Sequence, residues 1–244
     1  MRMATSSVRM GVILGFAGIL AAGSIGVASQ TADATQRSKT TTVTVLHAIP
    51  TDVGAVDVYA DRRKVAANLS PGQLRTMQIP AEKYDFLIVP AGVAPNPSTA
   101  LLEMTDALLS AGADMTVAAH LDERGRPDLT AFINKTRTVG QGMGRLTVRN
   151  IADAPKLDVR TRGSVMFEGI ATGREADTGL MAGNYNLRIS ESGERSPVMA
   201  RMTGNIRNEP GRSDMGNNVI VYVWGSSSDG QLRTTIQEVQ LDLT

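Results

Sequence analysis

The stretch Thr44-Val45-Leu46-His47 returns about a hundred residues later as Thr147-Val148-Arg149-Asn150. The chain downstream of each copy is repeated too. After a turn, Val56-Asp57-Val58 is answered by Leu157-Asp158-Val159, with two residues fewer in the second turn. Gly72 stands twelve residues before Tyr84, and Gly173 twelve before Tyr185. IPAEKYDFLIV (Ile79–Val89) matches LMAGNYNLRIS (Leu180–Ser190), and MTVAAHLDERGRPDLTAF (Met115–Phe132) parallels NVIVYVWGSSSDGQLRTTI (Asn218–Ile236). Anchors that keep their order mark a duplicated fold, so the chain must build two similar domains. The joint falls at KTRTVGQGMGR (Lys135–Arg145), where Gly140, Gly142 and Gly144 read as a flexible linker. The domains are therefore expected at 40–138 and 139–244.

Each copy reads as all-β. Thr42–Leu46 and Val56–Ala60 alternate apolar with polar residues, Lys83–Val89 is rich in β-formers, and Met115–His120 and Asp128–Ile133 complete the set. Turn signals separate them at Pro50–Gly54, Pro71-Gly72, Pro90–Pro97, Ser110–Gly112 and Glu123–Pro127. Many short strands at such spacing suggest an antiparallel β-sandwich of immunoglobulin-like type. Thr99–Gly112 also fits a short amphipathic helix. Its repeat counterpart, Ser196–Ile206, has poor helical character and favours a strand.

These same residues carry a resemblance. His47-Ala48-Ile49-Pro50 followed by Ala55-Val56-Asp57-Val58-Tyr59 and Asp61 resembles the HASPDAPAVDVYVDG signature of a secreted bacterial family, domain of unknown function 4397 (DUF4397). Asn68–Gly72, Ile79–Tyr84 and Ala111–Ala119 are similar to its later motifs. The likeness is good over 42–133 and weaker over 145–243, where Asn150 replaces His and Arg160 replaces Tyr. It implies export, tandem copies and an immunoglobulin-like sandwich, and it implies no activity.

The N-terminus agrees with export. Arg2 and Arg9 precede a twelve-residue uncharged apolar run, Gly11–Ala22, and small residues follow. This is the pattern of a secretory signal over 1–34, with cleavage after Ala28 or Ala34. The competing reading is an uncleaved membrane anchor over Val12–Ala28, short for a bilayer span. The chain has no cysteine, so each domain must be held by its own core, and thiolate chemistry is excluded. The formal charge of +1 arises in the first 39 residues. Neither folded half has the basic excess that phosphate binding needs, so nucleic acid is not an expected partner.

Candidate functional residues are few. His47 lacks the partners of a metal ligand or base, since His120 is the chain's other histidine. Its repeat equivalent is Asn150, and what His and Asn share is a side-chain hydrogen bond to nearby backbone, so both are read as turn-pinning residues. Asp57 and Asp158 occur in both copies and are assigned to turn amides, an Arg pair or a weak binding role; one carboxylate is far short of a calcium site. Tyr222 and Trp224 fall on one strand face. They are the best candidates for an exposed aromatic platform, with core packing as the favoured alternative. Tyr84 and Tyr185 read as core or corner tyrosines. Ser226–Gly230 and the polar segment Asn208–Asn218 read as loops. No metal, cofactor or catalytic constellation is expected. The sequence points to a non-catalytic envelope or extracellular module that contacts wall polymer, a surface protein or its own copy, with exposed edge strands such as Thr40–Val45 as a route to self-association. The alternative is an envelope enzyme or small-ligand carrier with a pocket in the loops of the second domain.

Overall fold

A computed structural model describes residues 39–50, 53–195, 198–207, 216–228 and 231–242. The export signal expected over 1–34 lies outside these residues, as do 208–215 and 229–230 of the two loops singled out above. Among the described residues no helix is long and apolar enough to cross a membrane.

Strands dominate the chain. The first repeat contributes β1 (Thr40–His47), β2 (Val56–Ala60), β3 (Arg63–Leu69), β4 (Leu74–Pro80), β5 (Lys83–Pro90), β6 (Leu102–Leu108), β7 (Asp114–Leu121) and β8 (Pro127–Ile133). The ambiguous segment from Thr99 is a strand, β6, entered through a single 3₁₀ turn at Pro97–Thr99. The second repeat contributes β9 (Met143–Asp153), β10 (Leu157–Thr161), β11 (Ser164–Ile170), β12 (Arg174–Met181), β13 (Gly183–Glu191), β14 (Ala200–Ile206), β15 (Asn217–Ser226) and β16 (Gln231–Gln240).

The two repeats share one topology. In the first, sheet β4-β1-β7-β8 packs on sheet β3-β2-β5-β6; in the second, β12-β9-β15-β16 packs on β11-β10-β13-β14. Pairing is antiparallel except between β1 and β7 and between β9 and β15, which run parallel. Each sandwich has its own apolar filling: Val43, Val45, Val58, Phe86, Ile88 and Val117 in the first, and Leu146, Val148, Val159, Leu187, Ile189 and Val221 in the second.

Strand β1 is flanked on both sides, by β4 and by β7. The expectation that Thr40–Val45 is an exposed edge is corrected: its backbone groups are used in two ladders, and β4 and β8 form the edges of that sheet.

A third apolar cluster joins the sandwiches. Leu46, Ala118 and Phe132 of the first pack with Ile151, Ile220 and Tyr222 of the second. Side chains on β15 alternate, with Val219, Val221 and Val223 entering their own sandwich and Ile220, Tyr222 and Trp224 entering the joint. Every residue of β15 is consequently buried. A strand apolar on both sides needs cover on both sides, and the other repeat supplies it.

The connection between repeats is pinned rather than free. Arg137 bridges Asp242 in parallel, and the Asp242 N–H donates to the Thr136 carbonyl at 2.6 Å. The Asn218 amide donates to the Lys135 carbonyl at 3.1 Å, and Lys135 and Arg145 both pair with Asp177. Gly144 belongs to β9, where an added Cβ would lie 2.7 Å from the Asn217 carbonyl oxygen. Its role is close packing, so the glycine-rich joint is not the loose tether its composition suggests.

Candidate functional site

The residues that both repeats keep hold backbone. The Asp57 carboxylate accepts from the N–H of Asn68 at 2.8 Å and of Gly92 at 3.1 Å, eleven and 35 residues further on. Asp158 accepts from Gly169 at 2.9 Å and Gly193 at 3.1 Å, at the same separations of eleven and 35. Asn68 and Gly169 adopt positive φ, +51° and +65°, where the β2–β3 and β10–β11 ladders shift register. The aspartate thus ties a β-bulge to a distant turn. A cation completes each: Lys64 at 2.6 Å from Asp57 and Arg160 at 3.0 Å from Asp158. Burial opposes ionisation of both aspartates. For Asp57 the Lys64 ammonium and the two amides outweigh it, and for Asp158 the two amides and neighbouring side chains do, so each carboxyl sits below its ordinary range.

His47 and Asn150 are interchangeable in the same sense. The Ile49 N–H points at His47 Nδ1 (3.4 Å), and His47 Nε2 donates to the Gly54 carbonyl at 2.8 Å. The Ala152 N–H donates to Asn150 Oδ1 at 3.2 Å, and Asn150 Nδ2 donates to the Ile170 carbonyl at 3.0 Å. Each side chain takes the amide two residues ahead, and each gives a proton to a carbonyl, His47 within its own turn and Asn150 at the end of β11. Burial lowers the His47 pKa, consistent with a neutral ring protonated on Nε2. The tyrosines pair likewise: the Tyr84 hydroxyl faces the Pro80 carbonyl (3.3 Å) and Tyr185 donates to Met181 (3.0 Å), each four residues back.

Tyr222 and Trp224 lie between the sandwiches, 0% and 4% exposed, and leave no ring face for a ligand to stack on. The Tyr222 hydroxyl accepts from Arg149 at 2.8 Å and lies 2.6 Å from Gln237 Oε1 and 3.0 Å from Thr116 Oγ1. Arg149, itself buried, stacks 4.4 Å over Phe132 and pairs with Glu175 at 2.8 Å. The Trp224 indole N–H donates to Thr235 at 3.0 Å, and the Thr235 hydroxyl donates to the Gly72 carbonyl at 3.1 Å. These rings and this cation are shared by two repeats. No property of a single repeat announces that, which is why the sequence left the pair open between platform and core.

A cleft at the end of the seam carries no sequence signal of its own. It lies between the β7–β8 hairpin and loops of the second sandwich, in two lobes that share Glu123 and Thr172. One lobe, about 450 Å³, is lined by Asp153, Ala154, Pro155, Lys156, Ala171 and Ser227. The other, about 370 Å³, has His120, Thr130 and Gly173 at its base and Arg124, Arg126 and Asp128 around it. Both volumes lie in the range of about 300–1,000 Å³ typical of small-molecule sites. Asp122 shapes the hairpin: it accepts from the N–H of Arg124 (2.8 Å) and Arg126 (2.9 Å) and takes the Arg126 guanidinium at 2.7 and 3.0 Å. The Arg126 amide and side chain hold its pKa down at about 2. Asp153 accepts from the Ser226 hydroxyl at 2.8 Å. His120 donates from Nδ1 to the Leu121 carbonyl (2.7 Å), which leaves Nε2 to accept from Thr130 (2.8 Å); burial lowers its pKa. Among the described residues no group of three His, Asp or Glu side chains is placed to hold a metal ion.

Comparison with known proteins gives a family match and remote likenesses among solved structures. No curated protein matches the chain. Among solved structures, the chain is similar to one titled the Bacillus anthracis TIE protein, at 11% identity and a TM-score of 0.21. The match covers 70% of this chain and 32% of that one, so the chain spans about a third of its length. Residues 41–160 match the domain of unknown function DUF4397, a span that takes in all of the first sandwich and the first two strands of the second. Through that segment the chain carries a DUF4397 domain.

Proposed function

We propose that this protein is an exported, non-catalytic module of the cell envelope or extracellular space, whose work is binding or structural. The observation that carries the reading is the shared role of the equivalent residues. His47 with Asn150, Asp57 with Asp158 and Tyr84 with Tyr185 all hold backbone, through equivalent bonds to the amides of Ile49 and Ala152, of Asn68 and Gly169, and to the carbonyls of Pro80 and Met181. What the duplication keeps is architecture. The third apolar cluster adds to this by joining two sandwiches into one body that can present its loops in fixed register. Wall polymer, a surface protein or a second copy are the partners proposed.

Two experiments test it. Fusion of the first 39 residues to a reporter should direct it out of the cytoplasm. The exported chain should co-sediment with purified cell walls of its source; sedimentation at the level of an unrelated sandwich protein refutes wall binding and leaves protein partners. A second reading, small-ligand carrier or enzyme, is favoured by one observation: the 450 Å³ lobe is built largely from loops of the second sandwich. Under that reading Lys156→Ala abolishes binding of a soluble ligand and leaves wall retention unchanged.

A further inference from the structure

The seam between the sandwiches has two ends that correspond through the repeat. Thr44 and Thr147 are equivalent in sequence. Thr44 pairs with Thr116 on β7, and Thr147 with Ile220 on β15. Counting along the strands makes His120 the equivalent of Trp224. Ala118 pairs with Thr130 and Tyr222 with Thr235, so the two threonines are equivalent as well. The hydrogen bonds agree: Trp224 Nε1 meets Thr235 Oγ1 at 3.0 Å, and His120 Nε2 meets Thr130 Oγ1 at 2.8 Å. Opposite them stand equivalent glycines, whose N–H groups donate to the carbonyls of His47 (Gly72, 2.6 Å) and Asn150 (Gly173, 2.8 Å).

One end is filled and the other is not. The Trp224 ring lies so close on Gly72 that a Cβ there would be 2.9 Å from Cζ2. At the other end the shorter imidazole stops before the glycine, and a Cβ on Gly173 would meet nothing within 4 Å. The 370 Å³ lobe is lined by His120, Thr130 and Gly173, the equivalents of Trp224, Thr235 and Gly72 at the filled end. The filled end also shows what lies over such a ring: the Arg233 guanidinium, 5.3 Å from the Trp224 centroid. Arg124 and Arg126 border the open lobe, and Arg126 is fixed by its two bonds to Asp122.

We propose that the His120–Gly173 lobe is a binding site for an aromatic side chain of a partner polypeptide, which lies on Gly173 as Trp224 lies on Gly72. This rests on the reading of the protein as a binding module and names its partner chemistry. The adjoining lobe suits the flanking chain, because Ala154, Pro155 and Ala171 give it small apolar walls, and Glu123 and Lys156 offer both signs of charge to polar neighbours. That balance does not favour a polyanion, and an arginine beside a flat ring is a favourable pairing. A saccharide has no such internal precedent here.

The test is a titration of the ¹⁵N-labelled exported chain with N-acetyl-tryptophanamide, N-acetyl-leucinamide and a tetramer of N-acetylglucosamine. The tryptophan probe is expected to shift the Gly173 and Thr172 amides saturably, with half-saturation at about 1 mM. The leucine probe is expected to bind at least about tenfold more weakly. His120→Trp rebuilds the filled end and should erase the shifts; Arg124→Ala, which removes a guanidinium bordering the lobe, should weaken them if the first variant does not fold. Absent or unsaturable shifts, equal shifts from the leucine probe, or binding of the sugar tetramer instead would overturn the proposal. A chain that sediments with walls but takes no aromatic probe keeps the proposed function and loses this inference.

Discussion

Trp224→Ala is the most informative single change, because it acts on the joint and not on either sandwich interior. Trp224 is 4% exposed. A buried tryptophan removes about 150–250 Å² from water, worth roughly 4–6 kcal/mol at about 25 cal/mol per Å². Measured Trp-to-Ala losses in cores run at about 3–5 kcal/mol, since neighbours relax in part. Thr235 keeps its bond to the Gly72 carbonyl, so no buried acceptor is orphaned and the lower half, about 3–4 kcal/mol, is expected. The contact with Gly72 supplies an internal control. Gly72→Ala alone places a Cβ 2.9 Å from the indole at a φ of +84°. The backbone strain costs about 1–2 kcal/mol in any background. The clash costs about 1–3 kcal/mol more, but only while Trp224 is present. Urea denaturation monitored by far-ultraviolet circular dichroism, on the wild type, both single variants and the double variant, should therefore give a coupling of about 1–3 kcal/mol that favours the double variant. Additivity within about 0.5 kcal/mol would mean that the indole does not lie on Gly72, and the account of the seam would fall with it.

The held backbone and the buried titratable groups carry further expectations. His47→Asn should cost less than His47→Ala by about 1 kcal/mol in the same denaturation assay, since Asn150 takes the equivalent amide, two residues ahead, in the second repeat. Stability should fall with acid in two windows. His47 and His120 have pKa values lowered from 6.5, so their contribution is complete above that value and is lost as pH drops from it toward the folded-state values. Asp57 and Asp158 have pKa values lowered from 3.8, so theirs is present above 3.8 and lost as pH falls through the folded-state values. His47→Gln with His120→Gln should flatten the upper window in a melting series and leave the lower one; an unchanged upper window would refute buried neutral histidines. Tyr84, pushed up to about 12 by burial and by the neighbouring Glu82 carboxylate, should ionise late in an ultraviolet titration, as should the buried Tyr222, and Tyr84→Phe should lower the late amplitude without abolishing it.

The duplication was legible because its anchors are local. A turn, an aspartate two residues into the next strand, and a glycine twelve residues before a tyrosine are written on neighbouring stretches of chain, and each forms its own bonds within one repeat. The roles of His47 and Asn150 could be read from the exchange itself, since the two side chains have only backbone hydrogen bonding in common. The glycines of the joint misled because composition reports freedom and not crowding. Gly144 is glycine for want of room beside Asn217 and Ile206, a constraint set by strands more than sixty residues away in sequence.

The seam was the hardest part to read, and its trace lies in the strands that fail to alternate. NNVIVYVWGS is buried at every position, and Met115–Leu121 is buried throughout as well. A sandwich strand with one wet face carries polar residues at every second position, so these two strands, equivalent in the repeat, each call for cover outside their own sandwich. The simplest cover for two equivalent sticky faces is each other, which places β7 against β15 and brings Trp224 onto Gly72. Once the faces meet, any difference between the repeats at the seam becomes a difference in filling. Tryptophan at position 224 closes one end; histidine at position 120 opens the other. The cleft thus lies where two sandwiches of one topology differ, and it has no motif of its own because no single stretch of sequence contains it.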